Sequence, residues 1–223
     1  MSIIPESVQQ QLKSEDVGDR LQGLNNLRQL EPKIAFEAIQ GVIKDGNVRV
    51  RYAATSQLAT VGNQDRQVAL TLLRDRLHED PEIDVQAAAA DAIGGLKLLE
   101  AFEDLEQKYK GTTEWILKVS IIAALGEMGD SRGFDMLQDA IKNGEPLLQT
   151  VAISSLGELG DRRAIELLLP FASNPDWQIR HRVAGALGLL GGEKAISILE
   201  ELAEDTTELV ALTARSGLEL IKA

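Results

Sequence analysis

The chain has 223 residues, a formal net charge of −12 at pH 7, 4% aromatic residues and no cysteine. The absence of cysteine excludes disulfides, thiolate metal sites and a cysteine nucleophile. The negative charge argues against nucleic acid and against an anionic membrane surface as partners, because both attract clustered lysine and arginine.

The first residues, MSIIPESVQQQ, lack the basic region followed by an apolar run that marks a signal peptide. No apolar segment approaches the length needed to span a bilayer. We therefore expect a cytoplasmic protein without membrane insertion. Residues 1–15 predict an N-terminal capping helix, because Pro5 suits a first helical turn and Val8 and Leu12 lie four residues apart.

From Asp16 onwards one pattern recurs at a spacing of 31 to 35 residues. It opens with a polar or acidic residue, continues with small and apolar residues at helical spacing, and reaches a leucine or isoleucine. These marker positions are Leu27, Leu58, Ile93, Leu125, Leu156, Leu187 and Leu218. Such a period is typical of a solenoid, in which each unit buries its apolar face only against its neighbours.

Each unit predicts a hairpin of two helices, shown most clearly between Leu147 and Leu168. Glycines soon after the markers predict left-handed residues at the ends of the first helices. Asn63, Asp130 and Asp161 predict N-caps for second helices. The expected fold is all-α: a right-handed, curved α-solenoid of about six to seven hairpins. We predict one domain over residues 1–223, with repeats over 16–205 and a C-terminal capping helix over 206–223.

A polar or acidic residue at the start of a first helix is often followed four residues later by a basic one, as in Asp176 and Arg180. This arrangement recurs in nearly every repeat. The recurrence favours a structural ladder, which links one repeat to the next, rather than a charged active site. We therefore predict that Arg51 and Arg180 serve the fold.

The residues give no support for conventional catalysis. The only two histidines, His78 and His181, lie in distant repeats. The sequence has no nucleophile–base–acid set, no HExxH or paired-histidine metal spacing, and no glycine-rich loop after a strand. We predict no catalytic residue, no metal and no intrinsic cofactor.

Two strings carry a family resemblance: Asp176-Trp177-Gln178-Ile179-Arg180 with Ala186-Leu187-Gly188, and IAALGEMGD from Ile122 to Asp130. Over residues 16–222 the chain resembles the HEAT-like repeats of the phycobilisome (bilin) lyase family. The segments NVRVRYAATSQL and NPDWQIRHRV resemble members of this family that act in phycobilisome degradation. The resemblance implies that the first helices line a concave face.

The resemblance also implies a function. It implies binding to phycobiliproteins, as phycocyanin or allophycocyanin subunits, during nutrient starvation, at phycobilisomes on the thylakoid surface and beside other degradation factors. The implied ligand is a bilin such as phycocyanobilin, which the protein would bind or detach. Detachment would be a lyase-like activity without a recognisable catalytic constellation. Two alternatives stay open: a phycobilin lyase subunit that attaches chromophore to phycocyanin with a partner chain, or a non-catalytic scaffold.

Outward-facing positions on the first helices define the candidate surface for bilin or partner binding. An apolar strip flanked by arginine and histidine suits an open-chain tetrapyrrole, whose rings bury apolar area and whose propionates accept hydrogen bonds from arginine. The same strip suits a partner helix, and each tryptophan equally suits a joint between two repeats. The candidates are Arg49, Tyr52, Trp115, Ile116, Val119, Leu147, Trp177, His181 and Arg182.

Overall fold

A computed structural model describes residues 5–222. In this part of the chain the structure contains fourteen α-helices, four short 3-10 helices and no strand. The α-helices are α1 (Pro5–Leu12), α2 (Val17–Leu27), α3 (Pro32–Gln40), α4 (Val48–Val61), α5 (Arg66–Glu79), α6 (Ile83–Gly95), α7 (Phe102–Gly111), α8 (Trp115–Met128), α9 (Phe134–Asn143), α10 (Pro146–Leu159), α11 (Ala164–Leu168), α12 (Trp177–Leu190), α13 (Glu193–Leu202) and α14 (Glu208–Lys222). The predicted N-terminal capping helix begins at residue 1 and the predicted C-terminal capping helix ends at residue 223, so residues 1–4 and 223 of these two predictions lie outside the described residues.

The helices form the predicted series of hairpins. The first helices of the repeats are α2, α4, α6, α8, α10, α12 and α14, and a second helix follows each of them except α14 among the described residues. First helices pack against one another, as α4 does on α6 and α12 does on α14, and second helices such as α13 pack on their own first helix. The all-α solenoid of helical hairpins is therefore confirmed, with α1 packed as a cap on α2.

Contacts divide the chain into two compact units: unit 1, Met1–Ile121, and unit 2, Ile122–Ala223. The division falls within α8. One continuous domain over residues 1–223 therefore stays a prediction, and each unit is described by itself.

The predicted marker residues form the centre of both cores. In unit 1, Leu27, Leu58 and Ile93 are at most 1% exposed, and in unit 2, Leu125, Leu156 and Leu187 are fully buried. Leu218 is partly exposed in α14, the last described helix. Because aromatic residues are scarce, these cores consist mainly of leucine, isoleucine, valine and alanine, which must pack closely to exclude voids.

The glycines that directly follow the markers in unit 2 are packing residues. A Cβ atom on Gly157 would lie 2.6 Å from the Cα of Ala186, and one on Gly126 would lie 2.7 Å from the Cα of Ser155. Successive first helices thus touch backbone to backbone, at a distance that leaves no room for a side chain. The prediction that these glycines adopt a left-handed conformation is wrong.

The left-handed residue lies three positions further along the chain. Gly129, Gly160 and Gly191 have φ values of 68°, 75° and 62°, whereas Gly62, directly at the end of α4, has a φ of −63°. The sequence G-x-x-G therefore combines two different requirements: a first glycine for close helix packing and a second for the turn.

The predicted N-caps at Asp130 and Asp161 are confirmed only for the turns that precede the second α-helices: Asp130 caps the 3-10 helix Ser131–Gly133 before α9, and Asp161 lies at the turn before α11. Asp130 and Asp161 each accept a hydrogen bond from the backbone N–H two residues later, at 3.0 Å. In unit 1 the cap of α5 is Asp65, which accepts from the backbone N–H of Val68 at 3.0 Å, so the prediction of Asn63 is wrong. Asn63 lies in a 3-10 helix that delays the start of α5.

Three arginines of the first helices bind the next repeat. Each pairs with an aspartate that lies two residues before the N-cap of the next first helix. That aspartate also accepts a hydrogen bond from the backbone N–H of this N-cap residue. We call these pairs the arginine–aspartate clamps. They are Arg20 with Asp45, Arg51 with Asp80, and Arg180 with Asp205.

Two of the clamps are bidentate. The Nε and Nη2 atoms of Arg51 lie 2.8 and 3.0 Å from the carboxylate oxygens of Asp80, and the corresponding distances from Arg180 to Asp205 are 2.6 and 2.9 Å. Such pairing fixes both distance and angle between repeats. The predicted structural role of Arg51 and Arg180 is confirmed, although the partner belongs to the next repeat, while Asp176 instead caps α12.

Ionisation of the clamp aspartates is coupled to folding. The hydrogen bonds from the Arg180 guanidinium lower the pKa of Asp205 to about 2, against the opposing effect of burial. For Asp80, burial favours the neutral form, yet the hydrogen bonds from Arg51 and from the backbone of Glu82 hold its pKa below the usual range.

The glycine contact predicts opposite effects of the same substitution at two positions of unit 2. Gly157→Ala should lower the free energy of unfolding by about 1–3 kcal/mol, since the new methyl group collides with backbone. Gly185→Ala, in the middle of α12, should raise it by about 0.5–1 kcal/mol, because its Cβ would lie 4.0 Å from the nearest atom, Thr213 Cγ2. Urea unfolding measures both values, and equal effects would contradict the backbone contact.

The clamp in unit 2 predicts a dependence of stability on pH. Because the folded-state pKa of Asp205 is about 2 and its ordinary value is 3.8, its stabilising contribution is present above pH 3.8. It is lost as the pH falls through 2. In Arg180→Gln the pKa of Asp205, measured by carboxyl NMR, should rise towards 3.8 and this part of the acid dependence should disappear. Lys110→Gln, which removes an exposed pair with Glu106, is the control; an unshifted Asp205 in Arg180→Gln would refute the clamp.

Candidate functional site

Three first helices of unit 2 line a groove of about 510 Å³, which we call the unit 2 groove. It includes three of the predicted surface residues, Trp177, His181 and Arg182. The other lining residues come from α10, α12 and α14 and from the cap of α12. They are Thr150, Ser154, Glu158, Asp176, Gln178, Ile179, Gly185, Ala186, Leu189 and Leu209.

The start of α12 positions the aromatic residue. Asp176 accepts a hydrogen bond from the backbone N–H of Gln178 at 2.9 Å, so α12 begins at Trp177. His181 follows one turn later and therefore lies on the same side of the helix. The Trp177 side chain remains 40% exposed, and thus it presents a large apolar surface at the edge of the groove.

The polar residues of the unit 2 groove come from two helices. The Nη1 atom of Arg182 donates to the Oγ atom of Ser154 on α10 at 3.2 Å, which directs the guanidinium across the groove. Exposed Leu189 and Leu209 add apolar surface. Of the two carboxylates in the lining, Asp176 is engaged in the cap of α12 and Glu158 has a raised pKa. The groove therefore offers a cation, an aromatic ring and aliphatic side chains, a combination that suits a largely apolar ligand carrying a carboxylate.

Glu158 is an acidic residue of the unit 2 groove whose pKa is shifted. Partial burial raises the pKa of its carboxyl, although part of the side chain is still exposed to solvent. Histidine, aspartate and glutamate do not gather in threes as a metal site anywhere within residues 5–222. The arrangement supports binding, and it shows no nucleophile activated by a neighbouring base.

Unit 1 has a corresponding groove of about 700 Å³, which we call the unit 1 groove. It brings together three further predicted residues, Arg49, Tyr52 and Ile116. Tyr52 is 48% exposed on α4, and Ile116 is half-buried on α8. The remaining lining residues are Leu21, Val48, Ala53, Asp84, Ala87, Ala88, Asp91 and Ser120.

The other three predicted residues line neither groove. Trp115 is 61% exposed and Leu147 is 51% exposed, while Val119 is half-buried. The outward orientation expected for the two exposed residues is therefore found, although neither residue lines the unit 1 groove or the unit 2 groove. Their part in binding stays a prediction.

Sequence reasoning missed the acidic residues of both grooves. In unit 1 they are Asp84 and Asp91, and in unit 2 the pKa of Glu158 is raised by desolvation. One signal was available for unit 1, because Asp84, Ala87, Ala88 and Asp91 follow the spacing of a single helix face. The sequence shows no comparable pattern around Glu158.

The family model for HEAT repeats matches residues 5–94, 70–154 and 142–219. The chain belongs to the HEAT-repeat family. No curated protein matches this HEAT-repeat protein. No helix within residues 5–222 is both long and apolar enough to cross a bilayer.

Solved structures share the fold at low sequence identity. The complex of CpcE and CpcF of phycocyanin lyase from Nostoc sp. PCC7120 is 19% identical, with a TM-score of 0.66 over 99% of this chain and 96% of that chain. A HEAT-like repeats protein from the archaeon Thermococcus onnurineus NA1 is 14% identical, with a TM-score of 0.55 over 100% and 98%. A designed armadillo repeat protein is 16% identical, with a TM-score of 0.50 over 98% and 100%.

The desolvated carboxylate in the unit 2 groove predicts a gain in stability on neutralisation. Glu158→Gln should raise the melting temperature at pH 7, because the raised folded-state pKa makes the charged form unfavourable. Protonation of the native residue has the same effect, so the difference should vanish below pH 4. Glu200→Gln on α13, which lies outside the groove, should show no such pH-dependent difference. A gain that is equal at pH 7 and pH 4 would contradict desolvation as the cause.

Proposed function

We propose that this HEAT-repeat protein binds phycobiliproteins and acts in phycobilisome degradation, where it binds or detaches the bilin chromophore. The observation that carries the proposal is the unit 2 groove, which unites Trp177, His181 and Arg182. Further support comes from the near full-length structural likeness to CpcE and CpcF of phycocyanin lyase. The proposed ligand is therefore a bilin such as phycocyanobilin, presented on a phycocyanin or allophycocyanin subunit.

The chemistry of the groove suits an open-chain tetrapyrrole. Its conjugated rings would bury apolar area against Trp177, Leu189 and Leu209, at about 25 cal/mol per Å² removed from water. A propionate would accept charge-assisted hydrogen bonds from Arg182, whose orientation is already held by Ser154. An open groove on the surface also allows the ligand to remain attached to a larger protein while it binds.

Two sequence segments support degradation as the biological setting. The segments 47–58 and 174–183 resemble the non-bleaching B-type phycobilisome degradation protein, and they supply Tyr52 of the unit 1 groove and Trp177 of the unit 2 groove. The proposal therefore includes a location at phycobilisomes on the thylakoid surface and other degradation factors as partners.

A second function is favoured by one specific observation. The structurally similar lyase is described as a complex of CpcE and CpcF, two chains. By analogy, this protein would be one subunit of a phycobilin lyase and would attach chromophore to phycocyanin only together with a partner chain. The third reading, a scaffold that recruits proteins without contacting bilin, rests on the general use of such repeats in protein recognition.

Size-exclusion chromatography with visible spectroscopy tests the first proposal. When the protein is mixed with holo-phycocyanin, we expect a complex and a change in the chromophore absorption. Trp177→Ala should weaken binding by about tenfold or more, as expected for a large aromatic side chain in a groove. Leu99→Ala is a control for an exposed apolar residue outside both grooves, and it should bind normally. Absence of a complex together with unchanged spectra would rule out the proposal.

Variants and co-expression separate the remaining readings. Trp115→Ala tests whether the binding surface extends beyond the groove, because Trp115 is exposed but lines neither cavity. Co-expression with apo-phycocyanin and free phycocyanobilin tests the lyase reading, which requires a second chain. A scaffold would bind phycocyanin without any change in the chromophore spectrum and would not bind free phycocyanobilin.

A further inference from the structure

We propose that the unit 1 groove binds a lysine or arginine side chain of a partner protein, with the cation at Asp91 and its aliphatic stem on α6. The proposal does not depend on whether the partner is a phycobiliprotein. It concerns a different groove from the one assigned to bilin, and it rests on the lining of that groove.

The floor of the unit 1 groove is one face of α6. Asp84, Ala87, Ala88 and Asp91 occupy positions i, i+3, i+4 and i+7, which lie on the same side of a helix. The two carboxylates are therefore about 10 Å apart along the helix axis, with only methyl groups between them. Such a floor accepts the methylene stem of a lysine or arginine along the alanines while the charged head reaches a carboxylate.

Asp91 has no cationic partner in the protein itself. Ser120, a residue only 9% exposed, lines the groove together with Asp91. The Asp91 side chain is still exposed to solvent, but its partial desolvation raises its pKa, and no lysine or arginine in the described part of the chain lowers it. A carboxylate that is partly removed from water without a counter-charge gains most from a cation supplied by a ligand.

The walls of the groove favour an organic cation. Tyr52, which is 48% exposed, adds an aromatic ring to the lining, and the faces of such rings attract cations. Asp84 and Asp91 are too far apart to ligate a single metal ion. Arg49 also lines the groove, but two carboxylates against one guanidinium leave the lining negative. The net charge of −12 adds long-range attraction for a basic partner.

NMR titration of the full-length, nitrogen-15-labelled protein tests this proposal. The probe is the peptide acetyl-Leu-Ala-Lys-Ala-Leu-amide in about 0.15 M NaCl, where distant charges are screened. We expect amide shifts concentrated at Tyr52, Asp91 and Ser120. Asp91→Asn should weaken binding by about tenfold, since it preserves shape but removes the charge. The native fold of this variant is verified from its unchanged spectrum outside the groove, and Glu200→Gln on α13 is the control for net charge.

Three results would overturn the proposal. A peptide with glutamine in place of lysine that binds equally well would show that the groove recognises only apolar side chains. A peptide with glutamate in place of lysine that binds more tightly would show recognition of anions through Arg49. Unchanged lysine-peptide affinity in Asp91→Asn would remove Asp91 from the site. The probe contains no bilin, so these results are separate from those of the phycocyanin experiment.

Discussion

The backbone contact between Gly157 on α10 and Ala186 on α12 is the constraint on which unit 2 depends. It brings two first helices closer than any side chain at position 157 would permit. The same approach recurs where Gly126 meets Ser155 and where Gly188 meets Gly217. Because the helices are this close, their outward faces join, and residues from α10, α12 and α14 line one groove.

The arginine–aspartate clamps complement this packing. Contacts between small residues set the distance between two first helices but only weakly determine the angle between them. A guanidinium that makes two hydrogen bonds to one carboxylate fixes the orientation of one repeat relative to the next. In the clamp of Arg51 with Asp80, the arginine also donates to the backbone carbonyl of Asp45, which ties the loop before α4 to the pair. The side chains that vary between repeats therefore stand on a framework that the repeated residues hold in place.

The period of the markers predicted the hairpins and the buried leucines, because burial of one apolar stripe per helix is a local property of sequence. The conformation of the glycines was not predictable in this way. A missing side chain serves close packing at Gly157 and a left-handed turn at Gly160, and only the neighbouring helix distinguishes the two. Six of the nine predicted surface residues line the two grooves, but the partial desolvation that raises the pKa of Asp91 and Glu158 could not be predicted from the pattern of one helix.

The central claim is that binding occurs on the outward faces of the first helices, where the repeats differ. Hydroxyl-radical footprinting of the protein, alone and with holo-phycocyanin, tests this claim most directly because it reports the solvent access of individual side chains. The account predicts that Trp177 and Leu189 become protected in the complex, while Leu99, which lies between α6 and α7 outside both grooves, reacts as before. Protection of Leu99 with unchanged reactivity of Trp177 and Leu189 would contradict it.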